Sequence, residues 1–214
     1  MVLRVGVLLS GSGTNFQAIL TRVQAGTLPI ELALVLSNRG AAKGLERAAA
    51  AGLPTVVIDH RQFADRASFD AAVVTTLRGA GVELVVLAGF DRLVTRVLLA
   101  AFPQRVINIH PALLPAFPGL HAQRQAAGFG VKVAGATVHF VDEEVDHGPI
   151  IVQGVVPVLA DDDEATLAQR ILAIEHEIYP LAIQLFAEGR LRVVGRRVIV
   201  TGYRPAPPAP LVHY

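Results

Sequence analysis

Apolar residues fall in short, near-continuous runs at positions 3–9, 32–37, 55–58, 84–88 and 106–110. A strand with one wet face alternates apolar and polar residues. A run that is apolar throughout fits a strand covered on both faces, as in a parallel sheet. Between these runs lie Ala-rich or amphipathic stretches at 16–24, 42–51, 68–77 and 95–101 that predict helices. Gly26, Gly52 and Gly79 stand where those helices would end, in the left-handed turn that glycine adopts without strain. Strand alternating with helix predicts parallel βαβ units with right-handed crossovers.

The pattern changes after position 110. Runs at 133–141 and 150–158 read as strands with only 142–149 between them, a spacing that predicts an antiparallel addition. A long helix is predicted over 163–186, with Asp161, Asp162, Asp163 and Glu164 at its positive end. Two short strands are predicted at 191–194 and 197–200, and the Pro-rich segment 204–210 reads as an extended tail. The expected fold class is α/β: a Rossmann-like, mostly parallel twisted sheet with helices on both faces and an antiparallel C-terminal addition. A single domain over 1–214 is expected.

Composition narrows the partners. The chain has 214 residues, 52% hydrophobic and 17% charged, which is ordinary for a compact globular protein. A formal net charge of +1 gives no electrostatic reason to expect nucleic acid. The absence of cysteine excludes disulfides and thiolate metal sites and fits a cytoplasmic protein. The first apolar run ends at Ser10-Gly11-Ser12-Gly13, too short for a signal peptide or a membrane span.

Two segments carry candidate chemistry. Ser10-Gly11-Ser12-Gly13-Thr14-Asn15 joins the first strand to the first helix. Small residues at a helix N-terminus suit an anion. No Gly-Lys-Ser/Thr follows, so it is not a P-loop, and Phe16 stands where a dinucleotide fingerprint needs its third glycine. A phosphate monoester fits better; the alternative is a tight turn with Thr14 or Asn15 as helix cap. In Asn108-Ile109-His110-Pro111, Asn108 and His110 share one face at a strand end, and Asp146 follows in a polar turn. Alone, each has a structural reading: His110 as a backbone-bonded histidine, Asn108 as a turn-former, Asp146 as a solvated acid. His139 and Thr137 share a face that either satisfies the strand or lines a site. Glu175-His176 is either a solvent-facing pair or has Glu175 turned inward. A metal site from His110, His139, Asp146 and His147 has no supporting spacing, so no metal is expected.

Together, Ser10–Asn15, Leu87-Ala88-Gly89-Phe90, Asn108-Ile109-His110-Pro111-Ala112-Leu113-Leu114-Pro115, Phe117-Pro118-Gly119-Leu120-His121 and Asp146-His147-Gly148-Pro149 closely resemble the glycinamide ribonucleotide formyltransferases, folate-dependent enzymes of purine synthesis. The resemblance runs from about residue 3 to about residue 202. It implies 10-formyltetrahydrofolate as co-substrate and glycinamide ribonucleotide as acceptor. The amine would attack the formyl carbon, Asn108 and protonated His110 would hold the oxyanion, and Asp146 would favour the charged form of His110 and aid proton transfer. Gly13, Thr14 and Asn15 would bind the ribonucleotide phosphate, and Glu175 its amine. Arg66, Asp91, Arg92, Leu93, Val94, Asn108 and the loop Asp142, Glu143, Glu144, Val145 and Asp146 would line the folate pocket, with His121 and His139 nearby. Residues 1–110 would form the nucleotide half, 111–202 the folate half and 203–214 the tail. A monomer or homodimer is expected.

Three positions depart from that pattern. Asp91 stands for a common Met and would put a carboxylate at the folate rim; Ala112 stands for Ser, and Ala116 for Lys. Other readings are a 10-formyltetrahydrofolate hydrolase, which usually has an N-terminal regulatory domain, and an initiator-tRNA formyltransferase, which needs an RNA-binding domain. A non-catalytic folate- or nucleotide-binding module is the third.

Overall fold

β1 (Leu3–Leu9) shows why the fold forms: Val7 and Leu9 feed one apolar cluster, while Leu8 between them feeds another on the opposite face. In the computed structural model, which describes residues 2–202, a nine-stranded sheet has the order β3-β2-β1-β4-β5-β6-β7-β9-β8. The tail read at 203–214 lies outside the described residues. β2 (Ile30–Ser37), β3 (Thr55–Val57), β4 (Leu84–Leu87) and β5 (Val106–His110) join β1 in parallel. β6 (Val133–Phe140) and β7 (Ile150–Pro157) add antiparallel pairs. β8 (Leu191–Val194) and β9 (Arg197–Val200) form a hairpin that touches β7 at Ile150 and Arg197.

α1 (Thr14–Gln24), α2 (Lys43–Ala50) and α6 (Glu164–Ala187) lie on one face, and α3 (Arg66–Gly79) and α4 (Arg96–Ala101) on the other. Caps set several starts. Asp65 and Ser68 form a capping box on α3, Asp163 and Thr166 one on α6, and Thr95 caps α4. Of the acidic run before α6, Asp162 instead pairs with Arg170 at 2.5 Å.

Local structure refines the sequence reading at three places. α1 is preceded by Gly13 as N-cap, with φ +69° and no side-chain cap, so neither Thr14 nor Asn15 caps it. α3 ends at Gly79, where the sequence placed a helix end, and the left-handed turn follows at Gly81, φ +66°. α5 (Ala122–Phe129) was not predicted, because it buries only Ala122 and Ala126 and so has no apolar stripe to betray it. The loops leaving β1, β4 and β5 all open on the carboxyl edge of the sheet, where ligands of open α/β folds bind.

Candidate active site

β5 ends at this edge with Asn108 and His110 on one face, and β6 sets His139 opposite Asn108 and Thr137 opposite His110. The loop between β6 and β7 then returns Asp146, a non-glycine residue with φ +51°. Asp146 Oδ2 lies 3.2 Å from His110 Nδ1 and accepts from Gly119 N at 2.8 Å. Asp146 Oδ1 lies 3.8 Å from His139 Nε2. The amide, imidazole and carboxylate singled out in the sequence do meet.

Their protons can be placed. His139 Nδ1 is 2.9 Å from the Phe140 carbonyl, which can only accept, so Nδ1 carries the hydrogen. Burial is the main force holding this ring below the usual histidine range, against the Phe140 bond and the charge of Asp146. Neutral His139 therefore offers Nε2 as an acceptor, and Asn108 Nδ2 lies 3.4 Å from it. One amide hydrogen of Asn108 is thus directed to His139, and the other is left for a ligand. His110 differs from the expectation. Its Nε2 lies 2.8 Å from the Phe117 carbonyl, so with Asp146 at Nδ1 neither ring nitrogen is free to meet an oxyanion. Phe117 occupies the acceptor position because the chain turns through φ +52° there. Thr137 does not line the site; it donates to Ala112 O and accepts from Leu114 N.

The glycine loop has no slack. A Cβ on Gly13 would fall 2.6 Å from Gly44 Cα, and Gly44 N donates to Gly11 O at 3.1 Å. With no side chain capping α1, its first-turn N–H groups are available to an anion. Arg47 Nε donates to Ser12 O at 3.0 Å, setting a guanidinium against the loop. Sequence reasoning missed Arg47, whose place follows from packing α2 on the loop rather than from any local pattern. A cleft of ≈ 330 Å³ runs from Thr14 past Gln17 and Arg47 to His176. Glu175 faces inward, 6% exposed, and accepts from Asn15 Nδ2 at 2.6 Å. Burial pushes its carboxyl up, partly offset by that hydrogen bond. Asn15 Oδ1 is buried without a partner. Tyr179 hydrogen-bonds Leu87 O at 2.8 Å and so pins this part of α6 to the sheet.

A formyl transferase family model matches residues 3–183, a span that holds the glycine loop, Asn108, His110, Asp146 and Glu175. The chain belongs to the formyl transferase family. It is 39% identical over 205 residues to the phosphoribosylglycinamide formyltransferase of Escherichia coli, covering 96% of this chain and 97% of that one. It is 47% identical over 188 residues to the trifunctional purine biosynthetic protein adenosine-3 of Drosophila melanogaster, of which the match spans only 14%. Its fold is similar to the crystal structure of glycinamide ribonucleotide transformylase 1 from Symbiobacterium toebii, with TM-score 0.92, 57% identity and 93% and 94% of the two chains covered.

The remaining predicted residues of this formyl transferase fall into groups. Arg66 and Arg92 both bear electrostatically on Asp70, so α3 and the loop after β4 bring them together. Arg92 Nε is buried without a partner. Leu93 and Val145 are half exposed, and Val94 packs on the core between α3 and β4. Asp91 does not project its carboxylate freely: it accepts from Ser10 Oγ and Asn38 Nδ2, both at 2.9 Å, and pairs with Arg39. Asp142 accepts from Glu144 N at 3.1 Å, and Glu143 pairs with Arg96 at 3.3 Å. His121 stands apart, exposed at the start of α5, with no side-chain bond to the trio among the described residues. Among those residues no group of three or more His, Asp or Glu is set to hold a metal, and no helix is long and apolar enough to cross a membrane.

Proposed function

We propose that this family member transfers the formyl group of 10-formyltetrahydrofolate to the primary amine of glycinamide ribonucleotide. The observation that carries the reading is the buried His110–Asp146 pair beside the half-free Asn108 amide, on the same sheet edge as the glycine loop and the Asn15–Glu175 pair. The names of the relatives support formyl transfer to the ribonucleotide, and the folate donor follows from the sequence resemblance.

The ribonucleotide phosphate binds the N–H groups of Gly13, Thr14 and Asn15, with Arg47 alongside. Glu175 accepts from the glycinamide amine, and Asn15 fixes that carboxylate. The folate ring lies against Arg66, Arg92, Leu93, Val94 and the loop Asp142–Asp146. The half-exposed Leu93 and Val145 suit an apolar ring face, and the unpartnered Arg92 Nε suits a polar edge. Asp91 contributes its backbone there, because its carboxylate is engaged elsewhere. Each substrate draws on both parts of the chain: Glu175 comes from beyond residue 110, while Arg66 and Arg92 come from before it. The residues therefore act as one domain.

The amine nitrogen bonds to the formyl carbon and the carbonyl becomes an oxyanion. Asn108 donates its free amide hydrogen to that oxygen, and His110 Nε2 gives its hydrogen bond to it in place of the Phe117 carbonyl. That exchange requires the 117–119 segment to draw back. Asp146 balances the positive charge on His110 and, through water, relays the proton lost by the amine to N10 as the C–N10 bond breaks. The test is a spectrophotometric assay of folate deformylation with and without the ribonucleotide. Turnover that requires the ribonucleotide supports the reading. Turnover without it indicates a hydrolase, and binding without turnover indicates a binding module.

A further inference from the structure

The loop that presents Asp146 is held from outside the site by the C-terminal hairpin. The turn of that hairpin, Gly195 and Arg196, reaches the loop because Arg197 pairs with Ile150, the first residue of β7. Arg196 Nη2 donates to the His147 carbonyl at 2.5 Å, and Nη1 lies 2.7 Å from His147 Nε2. His147 Nδ1 lies 2.8 Å from Asp142 Oδ2, and Asp142 Oδ1 accepts from Glu144 N at 3.1 Å. Nη1 also lies 3.2 Å from His147 Nδ1, so the guanidinium rests against the ring while Nη2 holds the carbonyl. His147 adjoins Asp146, whose φ of +51° is a conformation that non-glycine residues hold only when their surroundings impose it. The next residue is also constrained: a Cβ on Gly148 would fall 1.8 Å from the Phe140 carbonyl.

We propose that Arg196 is a positioning residue for Asp146, strapping the loop 142–148 to the terminal hairpin so that the carboxylate meets His110. The proposal rests on the catalytic reading of Asp146 given above. Arg196 is exposed and its contacts are solvated, so its loss changes global stability little; its effect lies in where Asp146 sits. Misplacing a reacting group by about 1 Å can cost on the order of a hundredfold in rate.

The experiment compares Arg196→Ala, Arg196→Lys and Arg192→Ala, the last removing the same charge from the same hairpin without touching the loop. Amide hydrogen exchange of 141–149 is read without either substrate, and kcat and both KM values are read with them. The expected result for Arg196→Ala is faster exchange confined to that loop, kcat down about tenfold, an unchanged KM for the ribonucleotide and an unchanged Tm. Lysine restores part of the rate, because an ammonium can reach the carbonyl but lacks the planar guanidinium that also rests against the ring. Arg192→Ala matches the parent. Unchanged exchange in Arg196→Ala overturns the strap, and faster exchange with an unchanged kcat overturns its link to Asp146. A parent chain without ribonucleotide-dependent turnover would be a failure of the catalytic reading instead, and exchange would still decide the strap.

Discussion

Asn15 Nδ2 donates to Glu175 Oε2 at 2.6 Å, joining the first turn of α1 to the middle of α6 across 160 residues. Burial raises the Glu175 carboxyl above its ordinary value of 4.5, more than the Asn15 bond lowers it. A carboxyl raised in the folded state binds its proton more tightly there than in the unfolded chain. Folding stability is therefore lost as pH rises from 4.5 through the folded value, and the cost is full above that value. Glu175→Gln keeps the acceptor for Asn15 and removes the buried charge. The expected outcome is a higher Tm at neutral pH, an advantage that shrinks toward pH 4.5, together with a fall in kcat/KM for the ribonucleotide. Melting curves at several pH values and steady-state kinetics check it; a lower neutral-pH Tm contradicts it.

Gly13 is committed twice, by a φ of +69° and by backbone 2.6 Å from where its Cβ would stand. A left-handed non-glycine residue costs roughly 1–3 kcal/mol, and Gly44 has no side chain that could give way. Gly13→Ala should lower Tm and raise the KM of the ribonucleotide while leaving that of the folate unchanged. Kinetics with each substrate varied in turn would show the split; a parallel rise of both KM values contradicts the phosphate assignment.

Asn108→Ala removes one oxyanion donor and should lower kcat by about 10²–10³ with little change in either KM. His139 acts on that donor by accepting from it. Because burial lowers this ring in the fold, the unfolded chain takes up a proton first, near the ordinary 6.5. The stability His139 confers is full above pH 6.5 and declines as pH falls below it. His139→Gln should flatten the dependence of Tm on pH on the acid side of 6.5. An unchanged slope would show that His139 does not set that limb.

β1, β2, β4 and β5 were legible because burial on both faces removes polar residues from them, in runs too short for a buried helix. The meeting of Asn108, His110 and Asp146 was legible through a resemblance; spacing alone left each with a structural reading. What lay hidden depends on tertiary packing. Phe117 masks His110 Nε2 through a backbone carbonyl, a group every residue carries. Asp91 turns to Ser10, Asn38 and Arg39, which converge only because β1, β2 and β4 are neighbours. α5 buries two alanines and has no stripe to read.

The most direct test of the central claim is kcat for Asp146→Asn at saturating folate and ribonucleotide. The carboxamide preserves shape but loses the charge facing His110. The expected result is a fall of about 10²–10⁴ with ribonucleotide affinity retained. A kcat within a few-fold of the parent, on the order of the scatter of ordinary surface substitutions, would contradict it.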